Sequence, residues 1–261
     1  MRPTVLAALL ALALPSLAFA QVSQSQAPAL SSVVQKAVAD PARPAADRDI
    51  DARRKVGDIM MFAEVKPGQK VLELLPGSGY FTRVFSAIVG PSGHVYTVWP
   101  YPGTDKPAKA SKSFTALTAV AAEPHYANIS LLQQPASKLT SPMPVDLVFT
   151  SQNYHDYPDD FLGNVDPAEL DRQAFAALKP GGLFVVIDHA APAGSGMSDT
   201  ATLHRIDPAI VRKQVEAAGF VFDGQSNVLH NPKDTHELKV FDPSIRGHTD
   251  QFIYRFRKPA K

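Results

Sequence analysis

The stretch VLELLPGSGYFT, residues 71–82, carries the clearest fold signal in the sequence. Its first half has the length of a short buried strand, the segment Gly77-Ser78-Gly79 follows directly, and residues 81–88 repeat apolar side chains at helical spacing. Such a unit brings bare glycine backbone and the free N–H groups of a helix N-terminus to one point. The stretch predicts either a ligand-binding loop or a tight turn without a ligand, since glycine pairs suit both.

Outward from this unit, short apolar runs alternate with helical patterns as far as the C-terminus. Asp166-Pro167 and Asp207-Pro208 each give a helix its N-cap and first-turn proline, and residues 47–65 favour one helix. Apolar strands that alternate with helices are typical of a parallel sheet covered on both faces. We therefore predict a single doubly wound α/β domain over residues 44–261. Its strands are expected at residues 71–75, 94–98, 129–132, 145–150, 183–187, 220–228 and 251–257.

Residues 1–20 have the three-part layout of a secretory signal peptide. Arg2 is followed by an apolar run over residues 5–14, and Ala18-Phe19-Ala20 offers a cleavage site. The alternative is an uncleaved anchor, for which this run is short. We expect an exported protein with no stable membrane insertion after cleavage, periplasmic if its source is a Gram-negative bacterium.

Residues 21–43 are rich in Ser, Gln, Ala and Pro. This composition favours a flexible leader. A short helix is expected within it, over residues 32–39.

Composition and charge exclude several classes of function. The formal net charge is +1, from 26 basic and 25 acidic residues, so no nucleic-acid partner is expected. The chain has no cysteine, which excludes disulfides, thiolate zinc sites and a cysteine nucleophile. A small molecule is the expected substrate, while a lipid-like compound or a protein side chain stays open, and so does the oligomeric state.

Four segments resemble the class I S-adenosylmethionine-dependent methyltransferases, and most of all an exported branch described as predicted methyltransferases. They are residues 53–79, GHVYTVWP at 93–100, DLVFTSQNYHDY at 146–157 and LKPGGLFVVIDH at 178–189. The resemblance implies a Rossmann-like seven-stranded sheet with an antiparallel last strand. It also implies S-adenosyl-L-methionine as cofactor and methyl transfer to an unidentified acceptor.

The resemblance also assigns cofactor-binding residues. Glu73 matches the acidic residue of the first motif, whereas Leu75 replaces the first glycine of the usual loop. Trp99 and Pro135 stand where acidic residues usually contact the ribose and the adenine. An indole can stack on either group, although its only hydrogen-bonding group is a donor. The residues predicted to bind the cofactor are Glu73, Gly77, Ser78, Gly79, Trp99, Ala136 and Asn153.

Two other interpretations compete with this one. A dinucleotide site needs a third glycine, where Thr82 stands, and an acidic residue, where Trp99 stands. A non-catalytic member of the fold, binding a small ligand or a partner protein, fits the substitutions Trp99 and Pro135. It also fits export, since S-adenosylmethionine is made in the cytosol.

Polar side chains follow the fourth and fifth predicted strands. We predict that His155 and Asp156 are catalytic, because a histidine takes a proton near neutral pH and a carboxylate can fix its tautomer. Asp188 is the alternative orienting partner, since neighbouring residues can point apart. Plain loop chemistry is the other interpretation. His204 lies in the loop before the last predicted helix, and this loop can fold over the same carboxyl edge of the sheet.

A metal centre at the ends of the same two strands is a further interpretation. His155, Asp156, Asp188 and His189 are suitable ligand types, but no tight spacing such as H-E-x-x-H supports them. No metal is therefore predicted from the sequence.

Overall fold

The computed structural model describes residues 31–103 and 111–260. Seven strands form one sheet in this part of the chain. They are β1 (Lys70–Leu74), β2 (His94–Tyr101), β3 (Ile129–Pro135), β4 (Val145–Ser151), β5 (Leu178–His189), β6 (Val221–Ser226) and β7 (Gln251–Arg257). The α-helices are α1 (Ser32–Val38), α2 (Ala45–Asp49), α3 (Asp51–Arg54), α4 (Val56–Phe62), α5 (Tyr80–Val89), α6 (Lys112–Ala122), α7 (Pro167–Ala177), α8 (Thr200–Leu203) and α9 (Pro208–Ala217).

The strand order is β3-β2-β1-β4-β5-β7-β6. Neighbouring strands are parallel except β7, which is antiparallel to both β5 and β6. This confirms the predicted Rossmann-like doubly wound α/β domain with an antiparallel last strand. The chain order reverses between β1 and β4, so the connections leaving these strands diverge and open a crevice at their carboxyl ends.

Alternation along the strands gives the sheet two apolar faces. Val71 belongs to the core under α4 and α5, and its neighbour Leu72 belongs to the core under α7 and α9. Because both faces are covered, the central strands are mostly apolar, and Glu73 is a buried acidic exception in β1.

The single helix predicted over residues 47–65 is wrong. The segment forms three short helices, with breaks at Ile50 and Lys55, and Lys55 has a left-handed backbone with φ +51°. The physical reason is that α2 and α3 bury no residue, whereas α4 buries four. Only α4 has a face that packing holds against the core.

The described part of the predicted leader is folded onto the domain. The expected short helix is present as α1, and its residues Val34 and Ala37 are buried in the core that α4 and α5 share. Residues 1–30, which include the predicted signal peptide, lie outside the described residues. Among the helices that are described, none has both the length and the apolar character needed to cross a membrane.

An ion pair between a buried arginine and a partly buried aspartate fastens this segment. Arg43, 1% exposed, donates to the two carboxylate oxygens of Asp51 at 2.7 Å each and to the Val38 carbonyl at 2.6 Å. The hydroxyl of Tyr80 donates to the same carboxylate at 2.7 Å. The pair therefore joins the segment after α1 to α3 and α5.

We expect Asp51→Ala to lower the free energy of unfolding by about 2–3 kcal/mol, because it leaves a buried guanidinium without its carboxylate. Urea unfolding followed by circular dichroism measures the change. The control is Asp49→Ala, since Asp49 is exposed on α2, and its effect should stay within about 0.5 kcal/mol. Equal effects of the two variants would contradict a stabilising role of this pair.

Candidate functional site

A cavity of about 500 Å³ lies at the carboxyl ends of β1 and β4. We call it the loop cavity, because residues 74–78 form one of its walls. Five predicted cofactor-binding residues line it, namely Glu73, Gly77, Ser78, Trp99 and Asn153. Two do not line it. Gly79 is the N-cap of α5, and Ala136 is fully buried, its N–H donating to the Tyr101 carbonyl at 2.8 Å.

The glycine loop has a left-handed backbone at three positions. They are Leu75 with φ +47°, Gly77 with φ +59° and Gly79 with φ +85°. Leu75 thus adopts the conformation that favours glycine, at the position where the related loop carries one. A Cβ atom placed on Gly77 would meet no other atom within 4 Å. The bare side of Gly77 therefore faces open space at the cavity wall.

Asn153 holds the loop in place from β4. Its side-chain amide donates to the Leu75 carbonyl at 3.1 Å and to the Ser151 carbonyl at 2.9 Å, and its carbonyl oxygen accepts from the Thr150 hydroxyl. These bonds join the ends of β1 and β4, the two strands that flank the crevice. A buried amide with several partners keeps a cavity wall rigid.

Trp99 forms the opposite wall. It lies within β2, which extends to Tyr101 rather than ending at the predicted residue 98. Its ring packs edge-on against Phe114 of α6, with ring centroids 5.2 Å apart. The indole is therefore fixed by packing where the related proteins usually carry an acidic residue.

Glu73 is the buried acidic residue among those that line the loop cavity. It is 2% exposed, and one of its carboxylate oxygens accepts a hydrogen bond from the Thr82 hydroxyl at 2.5 Å. Burial raises the pKa of Glu73 to about 8, against the opposing effects of this hydrogen bond and of the charges of Arg54 and Arg83. The side chain is therefore mostly protonated at neutral pH.

This pKa predicts a pH-dependent stability. The folded-state pKa lies above the ordinary value of 4.5, so the stabilising contribution is complete below pH 4.5 and is lost as the pH rises through about 8. Relative to Glu73→Gln, which cannot titrate, the wild-type protein is expected to lose about 3 kcal/mol of unfolding free energy between pH 5 and 8. Urea unfolding of both proteins at the two pH values measures this. The exposed Glu123→Gln serves as control, and a wild-type curve parallel to that of Glu73→Gln would refute the prediction.

A second cavity, of about 460 Å³, adjoins the first. We call it the arginine cavity, because Arg53, Arg54 and Arg246 line it. Arg54 lines both cavities and lies over the rings of Tyr80 and Phe81, at 4.3 and 4.7 Å from their centroids. No hydrogen bond or ion pair to another described side chain engages the Arg54 guanidinium. A positive charge is thus available between the two cavities.

The predicted catalytic pair lies beside the loop cavity. His155 is buried, and its Nδ1 lies 2.7 Å from Asp188 Oδ1 while its Nε2 lies 3.0 Å from Asp156 Oδ1. The backbone N–H of His155 donates to Asp188 Oδ2 at 2.8 Å. Both carboxylates considered from the sequence therefore contact this histidine. The assignment of His155 and Asp156 as catalytic residues stays a prediction.

The electrostatics favour a charged His155. Burial alone would lower the pKa of this imidazole, but the carboxylates of Asp188 and Asp156 outweigh it and raise the pKa well above the ordinary value. His155 is therefore protonated at neutral pH and is not ready to accept a proton. His189 is the opposite case, because burial lowers its pKa to about 4 despite the charge of Asp188, so it is neutral.

Three residues of the site were missed or only touched by sequence reasoning. Arg54 and Gln152 lie in two of the segments that carry the family resemblance, but the sequence assigned neither residue a role. Gln152 lines both cavities with a left-handed backbone, φ +62°. His204, expected only near the mouth, lies with its Nδ1 at 3.3 Å from His155 Nε2. No sequence pattern marks these positions, because residues far apart in the chain converge there.

The chain is similar to known proteins at two levels. The family model of protein-L-isoaspartate(D-aspartate) O-methyltransferase (PCMT) matches residues 32–111. The protein-L-isoaspartate O-methyltransferase of Ignicoccus hospitalis is 45% identical over 53 residues, 20% of this chain and 25% of that protein. The same enzyme from Methanococcus aeolicus is 27% identical over 183 residues, 70% of this chain and 72% of that protein. The match to the Ignicoccus hospitalis enzyme therefore spans about a quarter of that protein's length.

Among solved structures, a methyltransferase from Aquifex aeolicus described as SAM-dependent superposes with a TM-score of 0.55. It is 15% identical, and the superposition covers 82% of this chain and 95% of the other. This likeness concerns the fold. The sequence match over residues 32–111 covers α1 to α5, β1 and β2. The matched region therefore contains the glycine loop and one side of the loop cavity.

Proposed function

We propose that this chain, which has the fold of class I S-adenosylmethionine-dependent methyltransferases, binds S-adenosyl-L-methionine in the loop cavity and transfers its methyl group. The resemblance expected from the sequence is confirmed at the level of this fold. The observation that carries the proposal is the position of Gly77, which lines a cavity at the point where the strand order reverses and has open space around its Cβ position.

The loop cavity offers groups suited to this cofactor. When bound, the cofactor supplies a methyl group on a positively charged sulfonium. Among the residues that would hold it, Glu73 would offer a carboxyl group to a cationic ligand and Trp99 an aromatic surface to a nucleoside. Asn153 keeps the loop against β4, so the residues around the cofactor are positioned before binding.

We further propose that the methyl acceptor is a carboxylate. Three arginines line the cavity next to the cofactor position, and a guanidinium pairs well with a carboxylate. The relatives named above are enzymes that methylate protein L-isoaspartate, which fits the same acceptor class. A carboxylate oxygen needs no proton removed before it attacks a methyl group, which agrees with the protonated state of His155.

The cofactor is tested by isothermal titration of the purified protein with S-adenosylmethionine. Binding in the micromolar range supports the proposal, and binding weaker than millimolar contradicts it. The acceptor is tested with methyl-labelled cofactor and two peptides that differ only in an isoaspartyl carboxylate or its amide. Label that is transferred to the carboxylate peptide and released by mild base indicates a methyl ester.

Arg246→Ala distinguishes acceptor binding from cofactor binding, because Arg246 lines the arginine cavity and not the loop cavity. The variant should raise KM for the carboxylate peptide about 10-fold or more while the affinity for S-adenosylmethionine is unchanged. Arg172→Ala, on the exposed face of α7, is the control. An unchanged KM in Arg246→Ala would remove this arginine from acceptor binding.

Export is part of the proposal and rests on residues 1–20. Mass spectrometry of the protein isolated from the cell envelope should find Gln21 as the first residue. An intact Arg2 on that material would contradict cleavage.

A non-catalytic binding function is the second candidate, and Trp99 and Pro135 are the residues that favour it. Without acidic residues at these positions, the cavity lacks two of the usual hydrogen-bond acceptors for a nucleoside. A folded protein that binds no S-adenosylmethionine would favour a non-catalytic protein that holds another small ligand or a partner protein.

A further inference from the structure

Three side chains converge at the edge of the loop cavity. His155 Nε2 lies 3.0 Å from Asp156 Oδ1 and 3.3 Å from His204 Nδ1, and His204 Nδ1 lies 3.5 Å from the same Asp156 oxygen. Three potential ligand atoms thus lie close together around a common point, and His155 Nε2 becomes a ligand when it gives up its proton to the solvent. The residues come from the turn after β4 and from the end of α8.

These separations match the coordination sphere of one metal ion. Nitrogen and oxygen ligands lie about 2.0–2.2 Å from a first-row divalent ion, which places neighbouring ligand atoms about 3.0–3.5 Å apart in octahedral or tetrahedral geometry. The three measured distances fall in this range. An ion at the common point therefore needs only small side-chain movements.

The surroundings orient the ligand atoms. Asp188, which is fully buried, holds Nδ1 of His155, so that Nε2 is the atom presented to the common point. Metal-binding histidines usually have such a carboxylate behind them. His204 is held in a left-handed backbone conformation, φ +55°, at the end of α8, and its ring lies against Phe241 with centroids 4.9 Å apart.

Charge favours a cation at this point. The carboxylates of Asp156 and Asp188 both contact the single ring of His155, so two negative groups meet in a largely buried place. A divalent ion that replaces the proton on His155 Nε2 balances this charge. Two imidazoles with one carboxylate suit zinc, iron, cobalt or nickel, whereas magnesium and calcium prefer oxygen ligands alone.

The site has room for further ligands. A cavity of about 260 Å³ lies in front of it, lined by His155, Asp156, His204 and also by Gln152, Phe161 and His189. Asp156 and Gln152 line the loop cavity as well. A metal ion here would therefore keep open positions toward the space beside the cofactor position.

We propose that His155, Asp156 and His204 bind one divalent first-row transition-metal ion. The sequence suggested His155, Asp156, Asp188 and His189 as possible ligands. In the proposed site His204 takes the place of His189, and Asp188 contacts Nδ1 of His155 instead of the metal ion. The proposal does not depend on methyl transfer, because metal binding is measurable without cofactor or acceptor.

The test is a titration of chelator-treated protein with Co²⁺, followed by its visible absorption. We expect bands of a nitrogen- and oxygen-ligated ion that saturate at one equivalent and disappear when Zn²⁺ is added. His204→Ala should weaken binding about 100-fold or more. The His204 side chain is partly exposed, so we expect the variant to fold, and circular dichroism checks this.

The matched control is His230→Ala. His230 and His236 also contact one carboxylate, that of Asp250, but through its two different oxygens, at 2.9 and 3.0 Å. His230→Ala should therefore bind Co²⁺ like the wild type. The proposal is overturned if the wild type shows no saturable band, if folded His204→Ala binds as tightly as wild type, or if His230→Ala loses the site instead.

Discussion

Gly77→Val is expected to lower the affinity for S-adenosylmethionine at least 100-fold while the protein still folds. A Cβ atom on Gly77 would meet no protein atom within 4 Å, and Gly77 lines the loop cavity, so we expect the valine side chain to occupy space that the proposed cofactor needs. A left-handed backbone with a β-branched residue costs about 1–3 kcal/mol, which a domain of this size tolerates. Isothermal titration of the folded variant measures the loss.

Gly181→Val is the matched control for backbone strain. Gly181 also has a positive φ, +79°, and open space around its Cβ position, but it lies at the amino-terminal end of β5, away from the crevice. This variant should show a similar stability loss with wild-type affinity. If both variants bind S-adenosylmethionine like the wild type, the glycine loop is only a tight turn.

Asp188→Ala is expected to lower the free energy of unfolding by about 3–5 kcal/mol. The carboxylate is fully buried and accepts the backbone N–H groups of His155 and His189 at 2.8 and 2.7 Å, besides its contact with the His155 ring. Its removal leaves these donors without an acceptor. Urea unfolding gives the value.

Asp188→Asn is the companion variant, since it has nearly the same shape and keeps one acceptor oxygen. It should cost clearly less than Asp188→Ala. If the alanine variant is as stable as the wild type, the carboxylate does not organise this part of the site.

The sequence predicted those features that depend on neighbours along the chain. Asp166 and Asp207 cap their helices as expected, accepting the N–H groups of Ala168 and Ala209 at 2.9 and 2.8 Å. The strand over residues 251–257 was placed without error. Caps and apolar runs are local patterns, and the sequence alone contains them.

The sequence could not predict features that depend on distant residues. His204 meets His155 across 49 positions, through a short helix that no periodicity marks. The charge of His155 depends on Asp188, which arrives from another strand. The predicted helix over residues 47–65 breaks at Lys55 because only its second half packs against the core. This packing depends on residues from the rest of the fold.

The buried Glu73 has a consequence for the thermodynamics of ligand binding. Its carboxyl group holds a proton at neutral pH, since its pKa is about 8. A positively charged ligand in the loop cavity favours the ionised form, so each binding event releases part of a proton to the solvent. The measured heat then varies with the ionisation enthalpy of the buffer. The affinity for such a cation rises as the pH approaches 8, whereas an analogue without the sulfonium charge, such as the demethylated product with its neutral sulfur, gains less from the same change.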